Sequence, residues 1–194
     1  MSASRRRRPF ALACAAAAAA LLLVPSCRST WPRRDPTGEP LPAVTGTSLR
    51  GETVALPAVA EGAPLLLLLG FEQEAQFDID RWLLSLDQAG WRTRTLEVPT
   101  IPGMFPRLFG GAIDDGMRSG IPAEDWASVV TVYGDAAELA AFTGNRGGNT
   151  ARVVLLDGDG EVVFFHDRGF SVGSLRRLEA ARAALGGEGA AAGR

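Results

Sequence analysis

The middle of the chain alternates short apolar runs with longer amphipathic stretches, and that alternation predicts most of its elements. Gly51 to Pro57 (GETVALP) reads as a short strand. Pro64 to Gly70 encloses five consecutive leucines between two breakers, a run too short for a helix, so it predicts a central strand with Leu65 to Leu69 covered on both faces. Ala75 to Ala89 places Phe77, Ile79, Trp82, Leu83, Leu86 and Ala89 at helical spacing, with Gly90 as the stop. Trp91 to Val98 alternates as a strand until Pro99 and Pro102 break it. Phe105 to Arg118 has a helical pattern interrupted at Gly110-Gly111. Val129 to Tyr133 is a strand, and Asp135 stands as the N-cap of a short helix from Ala136 to Phe142.

Val153 to Leu156 and Val162 to Phe165 are two strands joined by Asp157-Gly158-Asp159-Gly160, a composition suited to the left-handed dihedrals of a hairpin turn. The same acids could open a calcium loop, but the further acidic ligands such a loop needs are missing, which favours the hairpin. Ser171 or Ser174 caps a last helix carrying Leu175, Leu178 and Leu185. Strands alternating with helices and closing in a strand pair and a helix predict a three-layer α/β/α domain around a mixed central sheet.

The ends behave differently. Arg5 to Arg8, the apolar stretch Phe10 to Val24 and the small residues before Cys27 form the three parts of an export signal. Val24-Pro25-Ser26-Cys27 resembles the lipobox of bacterial lipoproteins, although Val24 replaces the usual leucine and Pro25 is atypical. The resemblance implies a signal peptide over residues 1–26 and lipidation of Cys27 with diacylglycerol and palmitate-type chains. It also implies a bacterial envelope location, anchored to a membrane and facing the periplasm or exterior. Ordinary cleavage or an uncleaved anchor is the alternative, and Arg7-Arg8-Pro9-Phe10 leaves twin-arginine export open beside the general route. Residues 27–42, rich in proline, predict an extended spacer; residues 43–185 form the domain; residues 186–194 (GGEGAAAGR) predict a frayed tail.

Composition narrows the function classes. The chain has 194 residues and 46% apolar content, enough for one sizeable core. All 20 basic residues are arginine, a usage that reads as base-composition bias. Removing residues 1–26 takes four arginines and no acid, moving the net charge from −2 to −6, so no nucleic-acid partner is expected. The two cysteines are Cys14, in the segment to be removed, and Cys27. The domain itself therefore has no thiol.

TVYGDAAELAAFTG followed by ARVVLLDGDGEVVFFHDRG resembles the strand, short helix and closing hairpin of the thioredoxin-like superfamily in its peroxiredoxin-type arrangement. The likeness extends over roughly Leu41 to Leu185. In catalytic members a cysteine occupies the turn after the first central strand, where a helix N-terminus lowers its pKa. Here that turn reads Phe71-Glu72-Gln73-Glu74-Ala75-Gln76, and Asn149-Thr150-Ala151 stands where the family commonly carries a cis-proline. Carboxylates and amides cannot replace a sulfur nucleophile in disulfide exchange. No thiol oxidoreductase or peroxidase activity, and no cofactor, is expected.

GMRSGIPAE and the region after it resemble the mitochondrial ATP synthase assembly-factor family, whose thioredoxin-like core also lacks the redox cysteines and which serves a membrane subunit as a chaperone. Arg118, Pro122 and Glu124 match its arginine and hydrophobic-Pro-x-Glu step. The plainer reading of the same residues is an Arg118–Glu124 ion pair and a proline opening a short helix.

Fold analogy would gather Glu72, Gln73, Glu74, Asn149, Thr150, His166, Asp167 and Arg168 on one sheet edge. His166, the single histidine, could then serve with Glu72 or Glu74 as an acid-base pair or metal site. A lone strand-end histidine is more often structurally bonded, Asp167-Arg168 before Gly169 more often a turn and ion pair, and Glu72 and Glu74 complements of a helix dipole. Two readings remain: an envelope lipoprotein binding a protein client, or an enzyme using this polar edge, including a thiol-independent remnant of a peroxiredoxin-like enzyme. Redox work by Cys27 is a third, which acylation would exclude.

Overall fold

The computed structural model describes residues 30–102 and 104–191; the expected signal segment, with Cys14 and Cys27, lies outside the described residues. The elements follow as β1 (Val44–Ser48), β2 (Thr53–Leu56), β3 (Leu65–Gly70), α1 (Gln76–Gln88), β4 (Arg94–Pro99) and α2 (Met104–Gly120). Then come β5 (Val130–Thr131), α3 (Ala136–Thr143), β6 (Arg152–Leu156), β7 (Val162–His166) and α4 (Val172–Ala191).

Strands β4-β3-β6-β7 lie side by side in that order, as do β2-β1-β5. Parallel bridges between Glu97 and Val129 and between Thr100 and Val132 join the two groups, with the Val132 amide donating to Pro99 O at 2.9 Å. β3 runs parallel to β4 and antiparallel to β6, so the sheet is mixed, as expected.

The leucine run accounts for the layering. Leu65, Leu67 and Leu69 enter one core with Leu96, Val98 and Leu139, while Leu66 and Leu68 enter another with Ile79, Trp82 and Leu178. Side chains alternate across a strand, so a strand covered on both faces must be apolar at every position. Helix α3 covers the first face, and α1 and α4 cover the second. Each of the five leucines is fully buried, contributing about 2 kcal/mol of apolar transfer.

Several elements depart from expectation. The strand β1 has a single large apolar residue, Val44, which is why periodicity does not announce it. Its Gly46 is required by packing, because a Cβ there would meet Val130 Cγ1 at 2.5 Å and Thr131 O at 3.0 Å. Helix α2 runs unbroken through Gly110-Gly111, each glycine costing only about 1 kcal/mol in a helix. In α1 the inward stripe is Asp78, Ile79, Trp82 and Leu86, and this leaves Phe77 72% exposed and Leu83 at the surface. Asp135 occupies the N-cap position of α3 without capping it; its carboxylate instead accepts from the Thr45 amide at 2.8 Å and ties β1 to the domain. Helix α4 continues past Gly186 to Ala191, where a frayed tail was expected. Its start is the anticipated serine cap, with Ser171 Oγ accepting from the Ser174 amide and Ser174 Oγ from the Ser171 amide.

The proline-rich spacer also differs, since from Trp31 onward it is docked rather than free. Trp31 donates its amide to Asn145 Oδ1 at 2.7 Å, and its carbonyl accepts from the Asn145 and Arg146 amides. Farther on, Gly38 N bonds Val162 O and Leu41 N bonds Gly160 O, extending the sheet edge beside β7. Proline suits such an edge because it has no amide to leave unpaired. Gly144 makes the docking testable: its φ is +70° and a Cβ would sit 2.3 Å from Pro32 O. Gly144→Ala is expected to cost about 2 kcal/mol and to speed hydrogen exchange at the Asn145 and Arg146 amides.

Candidate functional site

After β3 the chain turns through Phe71 and Glu72 into a 3-10 turn, Gln73–Ala75, and then α1. A cleft of about 440 Å³ opens at this turn. Glu72, Gln73, Glu74 and Gln76 form its polar rim, while Ile79, Pro99, Ile101, Ile113 and Met117 supply an apolar wall from α1, β4, the segment after β4 and α2.

Glu97 also lines this cleft, a charged residue between Leu96 and Val98 in β4 and only 9% exposed. It pairs with Leu68 across β3 and β4 and so faces the α1 side of the sheet. Burial pushes its carboxyl above the ordinary value near 4.5; a hydrogen bond from Gln76 opposes the rise and the Asp80 charge adds to it. Burial thus favours the protonated acid, a hydrogen-bond donor at an apolar wall. The folded state holds this proton more tightly than the unfolded chain does. Its contribution to stability is therefore greatest below pH 4.5 and falls as pH rises through the folded value. Glu97→Gln is expected to melt higher than wild type at neutral pH, with the gap closing in acid; thermal unfolding across pH checks it.

The loop from Gly144 to Thr150 is held by Arg152, the first residue of β6 and fully buried. Its guanidinium donates to Gly144 O at 3.0 Å, Gly147 O at 3.2 Å, Thr150 O at 2.8 Å and Arg146 O at 3.1 Å, and it lies 5.5 Å from the Phe71 ring centroid. Burial lowers its pKa, Asp167 opposing that shift and Arg33 reinforcing it. Asp78, buried in the first turn of α1, performs a parallel task. One carboxylate oxygen accepts from the Ala151 amide at 3.0 Å and the other from the Phe170 amide at 2.7 Å. Helix α1, the start of β6 and the segment before α4 are thereby fixed to one another.

The anticipated polar edge is divided in two by that loop. On one side a Cβ at Gly148 would meet Glu72 Cγ at 2.8 Å, and on the other a Cβ at Gly147 would meet Arg33 Nη2 at 3.3 Å. Glu72, Gln73 and Glu74 line the first cleft. His166, Asp167 and Arg168 line a separate one of about 410 Å³, with Arg33, Arg34 and Arg177. Thr150 belongs to the wall, its hydroxyl donating to Asp167 O at 2.9 Å, and Asn149 is exposed on it. His166 bonds Gly169 O through Nε2 at 2.7 Å and packs edge-on to Trp82, the arrangement of a structurally bonded histidine. Asp167 pairs with Arg33 at 3.4 Å and Arg168 at 3.9 Å, which accounts for the expected turn and ion pair. No group of three metal-ligating side chains occurs among the described residues.

Arg118, Pro122 and Glu124 lie apart from both clefts. Arg118 donates to Leu49 O at 2.7 Å, pairs with Asp115 at 2.6 Å and lies 5.9 Å from the Trp126 ring centroid. The expected Arg118–Glu124 pair is not formed among the described residues, and Glu124 is exposed. Pro122 immediately precedes the 3-10 turn Ala123–Ala127.

Similarity of shape identifies the frame. BsSco, a member of the Sco family of cytochrome c oxidase assembly proteins, matches with a TM-score of 0.52 at 12% identity, over 79% of this chain and 97% of its own. A thiol peroxidase from Chromobacterium violaceum matches with a TM-score of 0.53 at 11% identity, over 80% and 91%. The fold is thioredoxin-like. A hypothetical protein from Sinorhizobium meliloti 1021 matches with a TM-score of 0.55 at 14% identity, over 82% and 89%. No protein-family model and no curated protein matches the sequence.

In this thioredoxin-like domain the β3–α1 turn carries no cysteine, and neither does any other described residue. The cis peptide among the described residues is Leu56–Pro57, outside the Asn149-Thr150-Ala151 step. Sequence reasoning passed over the three charges that organise the site, Asp78, Glu97 and Arg152. Each has apolar neighbours in sequence (FDI, LEV and ARVVLL); for Asp78 its helical spacing to Trp82 was the available signal, whereas the alternation of Trp91 to Val98 puts Glu97 opposite Leu96 and Val98 and gave none.

Proposed function

We propose that this protein is an exported, lipid-anchored lipoprotein whose thioredoxin-like domain binds a polypeptide client in the cell envelope and does no thiol chemistry. The observation that carries the reading is the cleft at the β3–α1 turn. The turn lacks a sulfur nucleophile, and the cleft combines an apolar wall with buried Glu97 and an acidic-amide rim. Apolar surface with a few convergent polar groups is suited to holding an apolar segment in a fixed orientation. Glu97 in its protonated form would donate to a client carbonyl, and Gln73 offers both donors and an acceptor.

The GMRSGIPAE resemblance to an ATP synthase assembly factor favours help with assembly. The enzyme reading through His166 loses support because the histidine and Glu72 line different clefts.

Cross-linking and pull-down from membranes tests the reading with wild type beside Ile101→Arg, which charges the apolar wall. A defined polypeptide recovered with wild type and lost with the variant is expected. Equal recovery with both, or no specific partner under any condition, overturns it. Purified protein is also expected to show no disulfide-reducing and no peroxide-reducing turnover.

A further inference from the structure

We propose that the second cleft is a membrane-facing site for the phosphate oxygens of anionic phospholipid headgroups, formed where the N-terminal segment docks on β7 and α4. Arg33 and Arg34 come from that segment, Arg168 from the turn after β7 and Arg177 from α4. Three of these side chains reach solvent, at 46% for Arg33, 41% for Arg34 and 81% for Arg168, and Arg177 is exposed.

The neighbouring acids offset part of this charge and leave the arginines of the hollow in excess, four against Asp35 and Asp167. Asp167 sits between Arg33 and Arg168, Asp35 accepts from the Thr37 amide and hydroxyl, and Glu39 pairs with Arg34. Arg177 has no carboxylate partner among the described residues. Planar guanidiniums from three segments around one hollow match a phosphate group, whose oxygens accept several donors at once.

Chain length selects a bilayer as the source of that phosphate. Six residue steps separate Cys27 from Arg33, so a lipid on Cys27 keeps the docked segment within about 20 Å of the membrane. Trp31, 40% exposed and two residues before Arg33, is a residue type suited to the headgroup region. A domain of net charge −6 approaches an anionic surface in a defined orientation only if a basic face leads.

The proposal rests on acylation of Cys27, and the intact mass of membrane-extracted protein separates a failure there from a failure of the arginine face. The acylated protein is reconstituted in vesicles of phosphatidylcholine alone or with phosphatidylglycerol, and hydrogen exchange is followed over residues 30–35 and 166–177. Exchange is expected to slow by about 10-fold with phosphatidylglycerol, and the slowing should vanish in high salt and in the Arg168→Glu/Arg177→Glu variant. Both sites are exposed, so an unchanged melting temperature confirms that the variant is folded. Equal exchange in the two vesicles overturns the proposal. Equal protection by glycerol 3-phosphate in neutral detergent reassigns the cleft to a free phosphate compound and overturns the bilayer as its source.

Discussion

Arg152→Met is expected to destabilise the domain by about 3 kcal/mol. Replacing a buried ion pair by an apolar residue is often neutral, because both charges leave the interior together. Arg152 is a different case. Its four acceptors are main-chain carbonyls of Gly144, Arg146, Gly147 and Thr150, and these remain after the guanidinium has gone. A lysine cannot restore them, since one ammonium cannot reach four oxygens arranged for a planar fork. Arg152→Lys should therefore recover less than half of the loss. Denaturant unfolding supplies the free energies, and hydrogen exchange over 144–150 should show that loop loosening first. A loss below about 1 kcal/mol, the scale of one ordinary hydrogen bond, would mean that the loop is held by other contacts.

Asp78→Ala is expected to cost about 3 kcal/mol, and Asp78→Asn about 2 kcal/mol, since a hydrogen bond to a charged group is worth about 1.5–3 kcal/mol. The carboxylate accepts two amides with two different oxygens. Asparagine keeps one acceptor and turns its NH2 toward the remaining N–H, so the order of the two variants is itself a check. Protection should fall at Ala151 and Phe170 together, because one side chain serves both. If only one amide responds, the two segments are not coupled through α1.

Much of the fold was legible in the sequence because its strongest pattern is also its central element. Five leucines between Pro64 and Gly70 require a strand covered on both faces, and the Asp157–Gly160 turn, with Gly160 at φ +86°, requires a hairpin beside it. β1 was not legible, since its register depends on Gly46 approaching Val130 and on Asp135 reaching Thr45, contacts between residues far apart in the chain. The docking of Trp31 to Asn145 was hidden for the same reason. The contents of the candidate site were half legible. Glu72, Gln73 and Glu74 follow from the position of the turn, whereas the partition between the two clefts depends on the Arg152-held loop. Patterns in one segment report its own periodicity, and the partner of a buried charge is supplied by the tertiary fold.

The proposed role of the cleft at the β3–α1 turn is to hold a polypeptide. Position-resolved photo-cross-linking in living cells tests it most directly, with the photoreactive residue at Gln73 on the cleft rim or at Gln88, exposed at the far end of α1. A discrete adduct with one envelope polypeptide is expected from Gln73, absent from Gln88 and lost when Ile101→Arg is added. Adducts of equal yield from both positions, or none from Gln73, would contradict it.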